Sequence, residues 1–148
     1  MTLRMNYREV NPEAFETMVE LEVFNRKSGL DKRLYELIKI RASQINGCAY
    51  CVDMHTRDLQ KLGESQQRIN LISVWREAHD IFTDKEKAVL ELTEAVTLIS
   101  HGGVPQELYE KVRQYFTEKE YIDLIMAINT INCWNRIAIS TGMYPGVF

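Results

Sequence analysis

Helix punctuation constrains this chain more than any other feature. Start and stop signals for helices recur from end to end, while strand-like alternation is scarce. Asn11-Pro12-Glu13 reads as an N-cap followed by proline at the first helical position. The helix it opens carries Phe15, Met18 and Val19 and stops before Ser28-Gly29. Asp31 starts a second helix, whose Leu34, Leu37, Ile38 and Ile45 follow helical spacing, and Gly47 is placed to end it. A third carries Cys48 and Cys51 to Leu62 and is closed by Gly63, and a short fourth sets Ile69, Ile72 and Trp75 on one face. Thr83-Asp84-Lys85-Glu86 is a capping box that opens a fifth helix with Val89, Leu92, Val96 and Ile99 on its stripe. Gly102-Gly103 breaks the chain, and Pro105 starts a sixth helix bearing Leu108 and Val112. A second capping box, Thr117-Glu118-Lys119-Glu120, opens a long final helix through Leu124, Ile125, Ile128, Ile131 and Trp134 to Gly142. The expectation is a single all-α domain over residues 1–148, of about six or seven helices, without a linker or repeat.

Charge and composition narrow the partners. The 18 basic and 21 acidic residues are spread along the chain, and no basic block stands out. Neither nucleic acid nor a membrane surface is therefore expected as a partner. The longest apolar stretches run to a few residues, far short of a membrane span. Met1 to Val10 carries Arg4, Asn6, Arg8 and Glu9 with no apolar run, so no secretory signal is read there and a cytoplasmic location is expected. In a reducing compartment three cysteines are not a disulfide framework; a close pair points to catalysis, redox chemistry or metal binding.

That pair is Cys48 and Cys51, with His55 one turn beyond, all on one face of a helix. With Gly47 just before it, Cys48 stands where a new helix begins, and first-turn amides there favour a thiolate. His55 is in reach to accept the Cys51 proton or to deliver one to a leaving oxygen. Side chains at this helical spacing have Cβ atoms roughly 5–6 Å apart. A disulfide prefers about 3.5–4.5 Å. The bond is thus expected to need local tightening and to be readily reduced. Three other readings stand beside this one, the first a redox-responsive binding module in which the same pair switches an interaction instead of turning over substrate. The cysteines could be inert core residues, or Cys48, Cys51 and His55 could hold zinc with Cys133, His79 or His101 as fourth ligand. A structural zinc site usually takes its remaining ligands from a second tight pair, and the sequence has none. No cofactor is expected.

The stretch from Glu36-Leu37-Ile38-Lys39-Ile40-Arg41-Ala42-Ser43 through Asn46-Gly47-Cys48-Ala49-Tyr50-Cys51-Val52-Asp53-Met54-His55 resembles the core of the AhpD-like alkylhydroperoxidases, in the carboxymuconolactone decarboxylase superfamily. Similarity extends to Glu91–Thr97 and to Ile131-Asn132-Cys133-Trp134-Asn135-Arg136. The resemblance implies an all-helical fold, assembly as a homo-oligomer (trimer or hexamer), and reduction of hydroperoxides. It implies that Cys51 attacks the hydroperoxide and that Cys48 resolves the sulfenic acid to a disulfide. His55 and Glu36, twelve residues before Cys48, would form the proton relay. An external dithiol protein, lipoyl-bearing or thioredoxin-like, would then reduce the disulfide. The pattern departs at Tyr50, where the best-known members carry a second histidine; tyrosine is no proton acceptor near neutral pH. The decarboxylase branch generally lacks the cysteine pair, which argues against lactone decarboxylation.

Other residues have plainer readings. Glu36 lies opposite the Leu34–Leu37–Ile38–Ile45 stripe, on a semi-polar face with Ile40 and Ser43. Cys133 is expected as a small buried hydrophobe, and His79 and His101 as surface or capping residues. Trp75 and Trp134 are expected in the core or a subunit interface, and Asp53 facing solvent. Asn129, Asn132 and Asn135, on an otherwise apolar helix, are expected to hydrogen-bond between helices or subunits.

Overall fold

A helix with no face left for solvent must sit at the centre, and the segment Lys32–Asn46 is that helix. Every side chain from Leu34 to Ile40 is buried, as are Ala42 and Ser43. The computed structural model describes residues 2–148 and contains eight α-helices and two 3-10 turns, with no strand among the described residues. In chain order the helices are α1 (Tyr7–Val10), α2 (Pro12–Lys27), α3 (Lys32–Asn46), α4 (Ala49–Lys61), α5 (Gln66–Leu71), α6 (Asp84–Thr97), α7 (Gln106–Arg113) and α8 (Glu118–Thr141). The 3-10 turns are Ile72–Val74 and Ile99–His101. Helices α4, α6 and α8 pack around α3, and α2 lies on α8.

The all-α expectation holds. The reading that began the first helix at Asn11 missed α1, a single turn with Asn6 as its cap, because that stretch has no apolar run. The short fourth helix ends earlier than expected: its α-helical part stops at Leu71, and Trp75 is buried from the turn that follows the 3-10 segment. Ile99 is not on the α6 stripe; it lies beyond the helix end and is 56% exposed. Both capping boxes form, with Thr83 and Glu86, and Thr117 and Glu120, each exchanging side-chain and backbone hydrogen bonds.

Two faces of α3 do different work. Leu34, Leu37 and Ile38 join the apolar core with Val89 and Leu92 of α6 and Leu124, Ile128 and Ile131 of α8. On the other side, Glu36, Lys39, Ser43 and Asn46 recur at steps of three and four and so form a polar stripe. The far end of that stripe is closed by the α8 asparagines. The Asn46 amide donates to the Asn132 and Asn135 side-chain oxygens, both at 2.9 Å, and Asn135 donates to Ser43 Oγ at 2.9 Å. Asn132 also donates to Thr97 Oγ1 of α6 at 3.0 Å. These two asparagines are inter-helix clamps, whereas Asn129 is exposed. Asn135→Ala strands the wholly buried Ser43 hydroxyl and removes one of the two acceptors of the part-buried Asn46 amide. It is expected to cost about 2–4 kcal/mol of stability in urea unfolding, and an unchanged midpoint would show that the clamp contributes nothing.

At the end of α8, Gly142 adopts the left-handed cap conformation with φ 77°, and a Cβ there would lie 2.9 Å from the Thr2 carbonyl oxygen. Glycine thus lets the N-terminal segment pass close, where the Arg4 amide donates to the Thr141 carbonyl at 2.9 Å. This tie holds α1 against the end of α8 and carries Tyr7 and Arg8 to the site described next.

Candidate active site

Gly47, with φ 73°, ends α3 in the left-handed conformation, and the chain turns at once into α4. Cys48 is the N-cap of α4, with extended backbone, and its sulfur takes the place usually held by a serine or aspartate oxygen, accepting from the Cys51 amide at 3.3 Å. The two cysteines are joined as a disulfide with Cα atoms 5.3 Å apart. The two cysteines do not both lie inside the helix, as their spacing suggested: Cys48 lies off it as the cap, and Cys51 stands within it. Cys51 stands in the first turn of α4, where the unpaired amides favour negative charge.

One turn on, His55 reaches across to α3. Its Nδ1 donates to Glu36 Oε2 at 3.0 Å, and both side chains are buried. Burial pushes the Glu36 carboxyl upward, but the hydrogen bond and charge of His55, together with Lys39, outweigh it and hold the carboxyl below its ordinary value. Lys39 Nζ lies 3.6 Å from Glu36 Oε1 and 3.5 Å from Glu22 Oε2, so it bridges two carboxylates. Glu22 of α2 also accepts from Tyr35 Oη at 2.7 Å and from Trp134 Nε1 at 3.0 Å. Burial and then the neighbouring Glu22 push the Tyr35 hydroxyl well above the usual range, so it remains a proton donor.

A cavity of about 270 Å³ opens between α1, α2, α4 and α8, and Cys51, His55, Lys39 and Glu22 all border it. Its remaining walls are largely apolar, including Phe15, Val19, Met54 and Trp134. Tyr50 also borders it, at the position of the family's second histidine. Cys48 does not; it borders a separate shallow depression with Ser43, Gln44 and Thr56. The two sulfurs of one bond are thus approached from different sides.

The structure therefore brings Cys48, Cys51, His55 and Glu36 together. Residues of the same cluster that the sequence reading passed over are Lys39 and Glu22. The signal for Lys39 was its place three residues after Glu36, on the same helix face. For Glu22 it was the pattern Met18, Glu22, Asn25, a polar pair at core spacing in α2, all three buried. Asp58 is half-exposed, with Oδ2 3.9 Å from His55 Nδ1. Among the described residues, the potential metal ligands that cluster in threes are Glu36, His55 and Asp58, a set that contains neither cysteine nor Cys133, His79 or His101.

Cys133 corrects an expectation, since it is exposed rather than buried. The buried positions of α8 include Leu124, Ala127, Ile128, Ile131, Asn135 and Ala138, and Cys133 falls on the outward face, with the exposed Ile122, Asn129 and Arg136. His79 and His101 are exposed, Asp53 is half-exposed and pairs with Arg57 at 2.8 Å, and Trp134 is half-buried. No described helix is long and apolar enough to cross a membrane.

Comparison with known proteins agrees with this architecture. The model of the carboxymuconolactone decarboxylase family matches residues 11–95. An uncharacterized protein of Bacillus subtilis, YdfG, is 47% identical over 142 residues, covering 96% of each chain. A solved structure from Agrobacterium tumefaciens, of a protein of unknown function suggested to be the antioxidant-defence protein AhpD, superposes with a TM-score of 0.95 at 44% identity. It covers 99% of this chain and 100% of that one. The alkyl hydroperoxide reductase AhpD of Coxiella burnetii is 44% identical over 41 residues, 28% of this chain and 23% of that protein.

Proposed function

The chain belongs to the carboxymuconolactone decarboxylase family, and on that footing we propose that it is a thiol-dependent peroxidase acting on organic hydroperoxides through Cys48 and Cys51. The observation that carries this reading is one arrangement: Cys51 borders a largely apolar cavity beside the buried His55–Glu36 pair, and Cys48 stands bonded to it. In the reduced protein His55 takes the Cys51 proton through the ring nitrogen that Glu36 leaves free. The thiolate attacks the outer peroxide oxygen, the O–O bond breaks, and Cys51 becomes a sulfenic acid. The leaving alkoxide takes the proton back from His55 and departs as the alcohol. Cys48 then attacks the Cys51 sulfur, forming the disulfide and releasing water. An external dithiol, lipoyl-bearing or thioredoxin-like, attacks the disulfide and leaves as its own disulfide, returning two thiols to the protein.

This reading takes residues 1–148 as one domain that works in the cytoplasm as a homo-oligomer. The test is a free-thiol count on reduced protein before and after one equivalent of an organic hydroperoxide. Loss of two thiols per chain, reversed by a dithiol, is the expected result. Unreactive thiols would sink the peroxidase reading and leave a redox switch, in which the same pair controls an interaction, as the better account.

A further inference from the structure

We propose that the cavity beside Cys51 receives a molecule carrying a carboxylate, and that Arg8 is the residue that binds it. The inference rests on the peroxidase reading and deepens it: the substrate is a hydroperoxy acid with an apolar body, of the fatty-acid type, rather than hydrogen peroxide or a neutral alkyl hydroperoxide.

Arg8 is the unusual cation of the site. Its guanidinium carbon lies 4.5 Å from the Phe148 ring centre, 5.2 Å from that of Phe15 and 5.9 Å from that of Tyr7. Its Nε is buried and has no hydrogen-bond partner among the described residues. Other part-buried arginines are matched to carboxylates, Arg41 to Glu94 at 2.8 Å and Arg68 to Glu86 at 2.6 Å. No described carboxylate pairs with Arg8. Taking a guanidinium partly out of water without a counter-ion is costly, and its planar fork matches a carboxylate with two parallel hydrogen bonds. An anion at Arg8 satisfies donors that the chain itself leaves open.

The rest of the cavity gives the ligand a direction. Lys39 also borders it but is taken up by Glu22 and Glu36. Asp58 and Glu22 repel a carboxylate from the His55 side, so the charged head belongs at Arg8 and the peroxide at Cys51. Phe15, Val19, Met54 and Trp134 line the cavity and suit a hydrocarbon body, which hydrogen peroxide does not have. The contact was invisible in the sequence, because Arg8 stands in a four-residue helix that carries no periodic signal.

Octanoate and octanamide differ in the charged head alone, so their binding tests the assignment without any turnover. Calorimetry on the full chain is expected to show octanoate binding roughly tenfold more tightly than octanamide, as for a desolvated charge-assisted pair. Arg8→Gln should bring that ratio close to one, while Arg8→Lys, which keeps the charge and loses the fork, should lower it without removing it. Arg26→Gln, at an exposed arginine on the cavity rim, should leave the ratio unchanged. Equal binding of the two ligands by the parent overturns the proposal, as does a preference that survives Arg8→Gln or is lost in Arg26→Gln. Should Arg8→Gln fail to fold by circular dichroism, the parent ratio and Arg8→Lys decide the matter. The two readings fail separately. Octanoate preference without peroxide-reactive thiols keeps the anion site and discards the peroxidase. Turnover of a hydroperoxy fatty acid no faster than its amide, with no octanoate preference, keeps the peroxidase and discards the anion site.

Discussion

Cys51→Ser is expected to lower hydroperoxide turnover by on the order of 10³-fold or more, since a serine hydroxyl is far from ionised at neutral pH and no second thiol borders the cavity. Cys48 is the neighbouring sulfur, yet it borders a different depression and not the cavity beside His55. It is therefore poorly placed to replace Cys51 at the peroxide. Cys48→Ser should give a different outcome: one equivalent of peroxide is consumed, the Cys51 sulfenic acid persists, and it can be trapped with a dimedone-type reagent and weighed by mass spectrometry. Steady turnover with a dithiol should fall in this variant, because the resolving step now depends on the external thiol. Exposed Cys133 is a source of spurious thiol loss and intermolecular disulfides, so the comparison belongs in a Cys133→Ser background. Sulfenic acid on Cys48 in the Cys51→Ser variant, with turnover retained, would reverse the two roles.

How much of this was legible beforehand depended on whether a signal was local. Capping boxes, the Pro12 start and the Gly47 and Gly142 stops are local chemistry, and the structure places helix ends where they fall. The Cys48–Cys51–His55 group lies within one helix start, so its proximity could be read from spacing. Glu36 could not be placed from periodicity alone. It lies on the face of α3 that looked semi-polar, and only the approach of α4 turns that face into a buried partner for His55. Glu22, Lys39 and Trp134 meet across three helices, and no spacing rule connects residues so far apart in sequence. Arg8 and Tyr7 went unread because one helical turn carries no periodicity. They arrive at the cavity through a tertiary tie, the Arg4–Thr141 hydrogen bond beside Gly142. Cys133 was misread because an apolar helix was taken as buried all round, when α8 has one face outward.

Glu36→Gln is expected to lower kcat/KM by about 10²- to 10⁴-fold, the range for a lost general acid–base component. The carboxylate fixes the proton on His55 Nδ1 and leaves the other nitrogen as acceptor; an amide can also donate, so it no longer dictates the tautomer. His55→Gln should cost a similar factor, and the double variant little more than either alone, because the two residues act as a unit. Costs that multiply would mean that Glu36 and His55 act independently. Lys39 supplies the pH signature. Its positive charge helps hold the Glu36 carboxyl below its ordinary value, against burial. In Lys39→Met the carboxyl rises, so on acidification it takes up a proton sooner and the acid-side fall in rate moves to higher pH. The same shift acts on stability. A depressed carboxyl stabilises the folded chain above the ordinary carboxylate range, and that contribution is lost as pH falls through the folded value. Lys39→Met should therefore flatten the acid limb of the stability curve, whereas Lys39→Arg, which keeps the charge, should restore both profiles. A merely structural lysine would change stability at all pH values alike and leave the acid-side limb of the rate where it was.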